Sequence, residues 1–328
     1  MNTQRAKFGI LLPTREVVMS GRADPAAILN LADRAEALGF HSVWVGDSLT
    51  AKPRVEALTT LAAVGGRTRH VRLGTAVFLA ALRHPILLAY QLASLDWLTR
   101  GRVDLGVGYG RPKEPSQEHE FEILGLAAAS RIKMSEESIH VMRRLWRESE
   151  VSHAGAFTRF DHVTLEPKPV QAGGVPIWLA SNNVEPGLKR VGRMADGWLN
   201  NITSPQAYRE CWEKVRHYAQ EANRDPESIE PGLYFTLAGG GDDAASQGRA
   251  FLAQYYNRPY EAVSKAMLCV AGSWDEILDT LEAYIQAGAR TIILRFAVQD
   301  QLGHLESSAK SLARRGLLDV NCNPIEAK

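Results

Sequence analysis

One pattern constrains this chain more than any other. Short apolar runs recur along its whole length, each bounded by Gly, Pro or Asp and each followed by a stretch with helical spacing. The runs fall at residues 7–12, 42–46, 71–77, 103–107, 176–180, 196–199, 232–238 and 291–296. Helical spacing follows at 25–38, 56–65, 85–98, 131–146, 184–194, 206–222, 274–287 and 301–314. Runs such as SVWVG, VPIWLA and RTIILRF are apolar on both faces, as strands are when helices cover one side and a packed interior the other. About eight strand–helix units describe a (β/α)8 TIM-type barrel, one domain over residues 1–328, better than a doubly wound sheet. A dinucleotide-binding sheet would carry a phosphate fingerprint. Here Gly106-Val107-Gly108-Tyr109-Gly110 lacks the third glycine at the required spacing and runs into Arg111-Pro112-Lys113 instead of a helix.

Two segments exceed what a barrel needs. Residues 110–130 are polar and carry Pro112 and Pro115, and within 149–172 the string HAGAFTRFDHVTL alternates like a hairpin. Both read as insertions, after the fourth strand and after its helix, so one side of the barrel mouth is expected to carry a lid.

Composition narrows the partners. With 38 basic and 37 acidic residues the formal charge is +1, without the concentrated basic excess of a nucleic-acid binder. The three cysteines, Cys211, Cys269 and Cys322, lie far apart with no CxxC pair, which suggests neither a disulfide framework nor a thiolate metal site and fits a reducing cytoplasm. The N-terminal apolar run ends at Pro13 and AVFLAAL is cut by Arg83 and His84, so neither a signal peptide nor a membrane span is expected. The nine histidines form no HExxH or HxH pair, and His119-Glu120 lacks the second histidine of a zinc helix, so no metal is expected.

Ligands of such barrels sit at the C-terminal ends of the strands, which makes the polar residues there the candidates. His84 precedes Pro85 and reads first as a helix N-cap, with catalysis as the second reading. Asp47 either caps the loop after its strand or bonds a heterocycle or substrate. Ser181-Asn182-Asn183 opens a helix and offers the donors that receive phosphate, although the same residues are ordinary caps. Arg295, inside the apolar strand TIILRF, needs a partner because burying it alone costs several kcal/mol; an ion pair and an anion site are both open. Gly239 to Gly241 read as a loop into a helix rather than a phosphate cradle.

The strings AEALGFHSVWVGDSL (35–49), VRLGTAVFLAALRHP (71–85), QLASLDWLTRGRVDLGVGYG (91–110), TLEPKPVQ (164–171), VPIWLAS (175–181) and RMADGWL (193–199) occur in this order. Together they resemble the bacterial luciferase-like family of flavin-dependent oxidoreductases, from about residue 7 to 200 and more weakly to 296. The resemblance implies a barrel that binds reduced FMN, or the 8-hydroxy-5-deazaflavin coenzyme, at its C-terminal mouth. It places a non-proline cis peptide at Ala76-Val77 under the flavin ring. It puts phosphate contacts on Gly108, Tyr109, Gly110 and Arg111 and on Ser181 with Asn182. Many members have a histidine after the acid that ends strand two, where this chain has Ser48, a poor base at neutral pH. Asp47, Ser48 and His84 are then the catalytic candidates, and Arg295 the residue for substrate or anion. Three functions follow. The first is a two-component monooxygenase supplied with reduced FMN by a flavin reductase; the second is a deazaflavin-dependent reductase or dehydrogenase; the third is a silent flavin binder. A small-molecule substrate and a homo-oligomer, such as a dimer, are expected.

Overall fold

Strand after strand, the apolar runs of the sequence become the staves of one closed parallel sheet. The computed structural model describes residues 5–21, 24–110, 114–241 and 243–319. Its strands are β1 (Lys7–Leu11), β2 (Ser42–Val45), β3 (Arg72–Thr75), β4 (Val103–Val107), β5 (Val151–Ala154), β6 (Arg159–Val163), β7 (Ile177–Ala180), β8 (Gly197–Leu199), β9 (Glu230–Gly239), β10 (Cys269–Gly272) and β11 (Thr291–Phe296). The order β9-β11-β1-β2-β3-β4-β7-β8, with β8 returning to β9, closes an eight-stranded barrel, and every pair in it is parallel. This is the TIM-type barrel expected from the sequence.

Local chemistry sets the helices between the strands. Asp24, Ser204 and Asp300 each accept a backbone N–H from the first turn of the helix they precede, and Ser273 with Glu276 forms a reciprocal capping box. Pro85 stands at the first position of the helix Pro85–Leu98, whose Leu88, Ala89, Leu92 and Ala93 are buried. All six residues of β11 are buried, as the two-sided apolar run predicts.

The interior of the barrel near its mouth is filled by Leu11, Trp44, Trp178, Leu199 and Ile293, with Ala76, Val77, Ala180 and Tyr234 packed against them. Trp44 and Trp178 meet edge to face with ring centroids 5.5 Å apart. Glycines make room for both: a Cβ at Gly74 would stand 2.1 Å from the Trp44 ring, and one at Gly197 2.2 Å from that of Trp178.

The second insertion is the expected hairpin, β5 antiparallel to β6. The first contains a short helix, Pro115–Glu122, and a 3-10 turn, Ala128–Ser130. Sequence reading missed β10 and the helix Tyr260–Ser264, and gave no bounds to the helix Ala244–Tyr256 expected after the glycine loop. In that helix Gly248 interrupts the pattern and packs close to β9: a Cβ there would lie 2.7 Å from that of Ala238. Among the described residues no helix is long and apolar enough to cross a membrane.

Candidate cofactor and substrate site

A cavity of about 380 Å³ opens where β1, β2, β3, β4, β7 and β8 end, with Tyr234 from the middle of β9. Its floor includes Leu11, Leu199 and Tyr234 from the barrel interior, with Ala76 and Val77 on one wall. The Ala76-Val77 peptide is cis, as the family resemblance implied. Neighbouring strands hold it on both sides: Ala76 N–H donates to Val45 O (2.7 Å), Asp47 N–H to Val77 O (3.1 Å) and Phe78 N–H to Gly106 O (2.6 Å).

The sequence candidates divide sharply in this geometry. Asp47, Ser48, Ala76, Val77, Gly108, Tyr109, Gly110, Ser181 and Asn182 all line the cavity. Arg111 lies outside the described residues. His84 takes no part in it: it is the exposed N-cap residue of Pro85–Leu98, and its side chain caps nothing. Leu79 lines the cavity, and the turn Ala80–Leu82 carries the chain away from it, so His84, five residues on, lies outside. Asp47 is committed elsewhere. Both its oxygens take the Arg83 guanidinium, at 2.6 and 2.8 Å, and Oδ2 also accepts the Leu79 N–H at 3.0 Å. That fork fixes the segment 76–79 and leaves Asp47 an anchor rather than a proton acceptor.

Ser48 leads to a residue that sequence reading passed over. Its hydroxyl donates to Glu120 Oε1 (2.6 Å), which also accepts the N–H groups of Thr50 (2.7 Å) and Ala51 (3.0 Å). Glu120 is 1% exposed and lines the cavity, and its other oxygen, Oε2, has no hydrogen-bond partner. Three donors on one oxygen fix the carboxylate, while the second oxygen is left to meet a ligand. The signal was present: Gln117, Glu120 and Phe121 share one face at helical spacing, and all three are buried.

At the opposite end the donors gather. The Tyr109 hydroxyl is buried without a partner, and burial pushes its pKa up to about 12 against the opposing pull of Arg190, whose guanidinium lies 5.2 Å from the ring centroid. Ser181 Oγ packs so closely on the helix Glu185–Met194 that a Cβ at Gly187 would come within 2.1 Å of it. Asn182 and Asn201 bond each other, Nδ2 to Oδ1 at 2.6 Å and Asn201 N–H to Asn182 Oδ1 at 3.0 Å. Gly239 to Gly241 lead into the helix Ala244–Tyr256, as the loop reading expects, and line a separate cavity of about 440 Å³ with Asp243, Asp300 and His304.

The family model for luciferase-like monooxygenases matches residues 6–291. The chain belongs to the luciferase-like monooxygenase family. Within it the chain resembles enzymes of two kinds. It is 32% identical over 160 residues to the oxygenase component of flavin-dependent trigonelline monooxygenase from Acinetobacter baylyi, covering 48% of this chain and 42% of that protein. It is 26% identical over 325 residues to an F420-dependent glucose-6-phosphate dehydrogenase from Segniliparus rotundus, covering 89% and 94%. Among solved structures, an F420-dependent secondary alcohol dehydrogenase bound to an F420-acetone adduct superposes with a TM-score of 0.78 at 20% identity, over 96% and 100% of the two chains. The chain spans about half the length, or less, of several curated relatives it matches.

The relatives named above depend on a flavin or on F420, and the residues present here fit a cofactor of that type. Ala76 and Val77 offer a flat apolar wall, and Gly108 keeps it open, since a Cβ there would stand 2.2 Å from Val77 Cγ2. The orphaned Tyr109 hydroxyl suits a phosphate; beside it, Ser181 Oγ donates to Asn182 O (3.0 Å) and Asn182 Nδ2 to Asn201, donors that a phosphate draws only by displacing these bonds. Arg190 was not foreseen; it is reached only through the fold, from the helix after β7.

Proposed function

We propose that this chain is an oxidoreductase that exchanges hydride between a deazaflavin-type ring and a small organic alcohol or carbonyl, with Glu120 exchanging the accompanying proton. The observation that carries this reading is the buried, unpartnered Glu120 Oε2 at the cavity wall. The bound cofactor supplies the ring position that takes or gives hydride. For alcohol oxidation, the hydroxyl proton passes to Glu120 Oε2 as hydride leaves the same carbon, and a carbonyl remains. Ser48, Thr50 and Ala51 hold the carboxylate in place through its other oxygen. Tyr109, Ser181, Asn182 and Arg190 hold the cofactor phosphate. The similarity to F420-dependent dehydrogenases across most of the chain supports the reading.

A second reading is the two-component monooxygenase, supplied with reduced FMN by a separate flavin reductase and using dioxygen. It is favoured by the segment after β4, where Phe121, packed with Leu79, Ala81 and Leu82, brings a helix over the cavity as a shield from water. Dissociation constants for FMN and the deazaflavin, followed by oxygen uptake with reduced FMN, separate the two. Tight deazaflavin binding without oxygen uptake supports hydride transfer; FMN binding with oxygen consumed and little peroxide released supports oxygenation; binding without turnover of any alcohol or carbonyl leaves the silent binder.

The homo-oligomer has a face to use. Leu87, Tyr90, Trp97 and Leu98 of the helix Pro85–Leu98 are all at least half exposed, an unusual apolar load for one outer helix. Sedimentation of Trp97→Glu beside the parent tests whether a second copy covers it.

A further inference from the structure

Arg295 is the largest fully buried charged side chain among the described residues, and no hydrogen bond satisfies it. It is 1% exposed, yet Nε, Nη1 and Nη2 are all without hydrogen-bond partners. It forms one ion pair among the described residues, with Glu16 at 4.0 Å, too long for a hydrogen bond. A guanidinium carries five N–H donors, and leaving them bare in a dry interior is costly unless something else takes them up.

The surroundings point to what does. Arg295 lies two residues beyond Ile293 on β11, so both face the barrel interior, where Ile293 packs against the cavity floor residue Leu11. Directly across in register is Thr236 of β9, whose hydroxyl is also buried and without a partner. Arg15 from the end of β1 adds a third orphan, its buried Nη1, and stands with its guanidinium 4.8 Å from the Tyr255 ring centroid. Arg295 lies 4.1 Å from the same centroid and 5.5 Å from that of Tyr256. Tyr255, Tyr256, Tyr234 and the cation Arg54 all line the cavity. Two guanidinium groups therefore lie against the Tyr255 ring, and one of them, Arg295, stands in register with the Thr236 hydroxyl. All three residues lie behind the tyrosines that line the cavity rather than on its surface, and each keeps a buried polar atom without a hydrogen-bond partner.

We propose that Arg295, Thr236 and Arg15 form an anion-binding subsite, reached from the cavity past Tyr255 and Tyr256, that anchors the carboxylate or phosphate of an organic substrate. The proposal rests on the reading of this cavity as the substrate and cofactor site, and it assigns that substrate a negative charge. Planar tyrosine faces around the cations also favour a flat body next to the charged group.

Calorimetric titration of the full-length protein, with and without whichever of FMN and the deazaflavin binds, tests it with benzoate, phenyl phosphate and neutral benzamide as probes. One or both anions are expected to bind at least tenfold more tightly than benzamide, and which one does so identifies the carboxylate or the phosphate as the anchored group. Arg295→Met is expected to weaken that binding at least tenfold and Thr236→Val severalfold, with cofactor affinity unchanged in both. Equal affinity for benzamide and both anions in the parent, or parental anion affinity in folded Arg295→Met, overturns the subsite. If Arg295→Met does not fold, parental anion affinity in Thr236→Val overturns it instead. Failure of both cofactors to bind the parent is a separate result that overturns the reading of the cavity, so the two failures are told apart.

Discussion

Ser48 Oγ and Glu120 Oε1 lie 2.6 Å apart across 72 residues of chain, joining the end of β2 to the helix inserted after β4. At the position where the family resemblance implies a histidine in many members, this barrel carries a hydroxyl backed by a buried carboxylate. In the proposed reaction Ser48 positions and Glu120 accepts.

Glu120→Gln keeps the shape and removes the base. Turnover is expected to fall ~100-fold with cofactor affinity within about threefold of the parent. Parental kcat/KM for alcohol oxidation in folded Glu120→Gln rejects Glu120 as the base.

Tyr109→Phe and Ser181→Ala each remove one donor from the phosphate end, and each should weaken cofactor binding ~10-fold, read by fluorescence titration. Tyr109 also predicts alkaline behaviour. Burial raises its folded pKa to about 12, above the ordinary value of 10.0. The folded protein thus holds this proton longer than the unfolded chain, so the associated stability is intact below pH ~10 and is lost as pH rises towards ~12. Thermal midpoints from pH 9 to 12 should fall less steeply in Tyr109→Phe than in the parent.

Asp47→Ala strips Arg83 of its bidentate partner and frees the Leu79 amide. A loss of ~2 kcal/mol in urea unfolding is expected, with weaker cofactor binding because the wall at 76–79 loses its anchor. Unchanged stability would show that water replaces the carboxylate without cost.

Gly108→Ala drives a methyl into Val77 Cγ2, and that wall can yield only into the cavity. Cofactor affinity should drop at least tenfold while the fold, by circular dichroism, is retained. His84→Ala, on the exposed side of its helix, should leave kcat and cofactor affinity within twofold.

The sequence by itself determined the barrel. Its eight apolar runs and their helices are local signals, set by side-chain periodicity and by caps such as Asp24, Ser204 and Ser273, and these survive in one dimension. The resemblance carried by ordered strings located the cis peptide at Ala76-Val77 and the walls at Gly108 and Ser181. Tertiary structure alone decided which charges are spent and which are free. The sequence leaves Asp47 as a loop cap, a partner for a heterocycle or a catalytic candidate, and only the fold shows Arg83 taking both its oxygens; it assigns Glu120 no role, and only the fold brings Ser48 to it. The sequence leaves Arg295 with an ion pair or an anion as its partner, and only the fold shows what surrounds it: the Glu16 carboxylate at 4.0 Å and three aromatic rings. A hydrogen bond is a property of two atoms brought together from distant parts of the chain, and no spacing in a single sequence encodes that meeting.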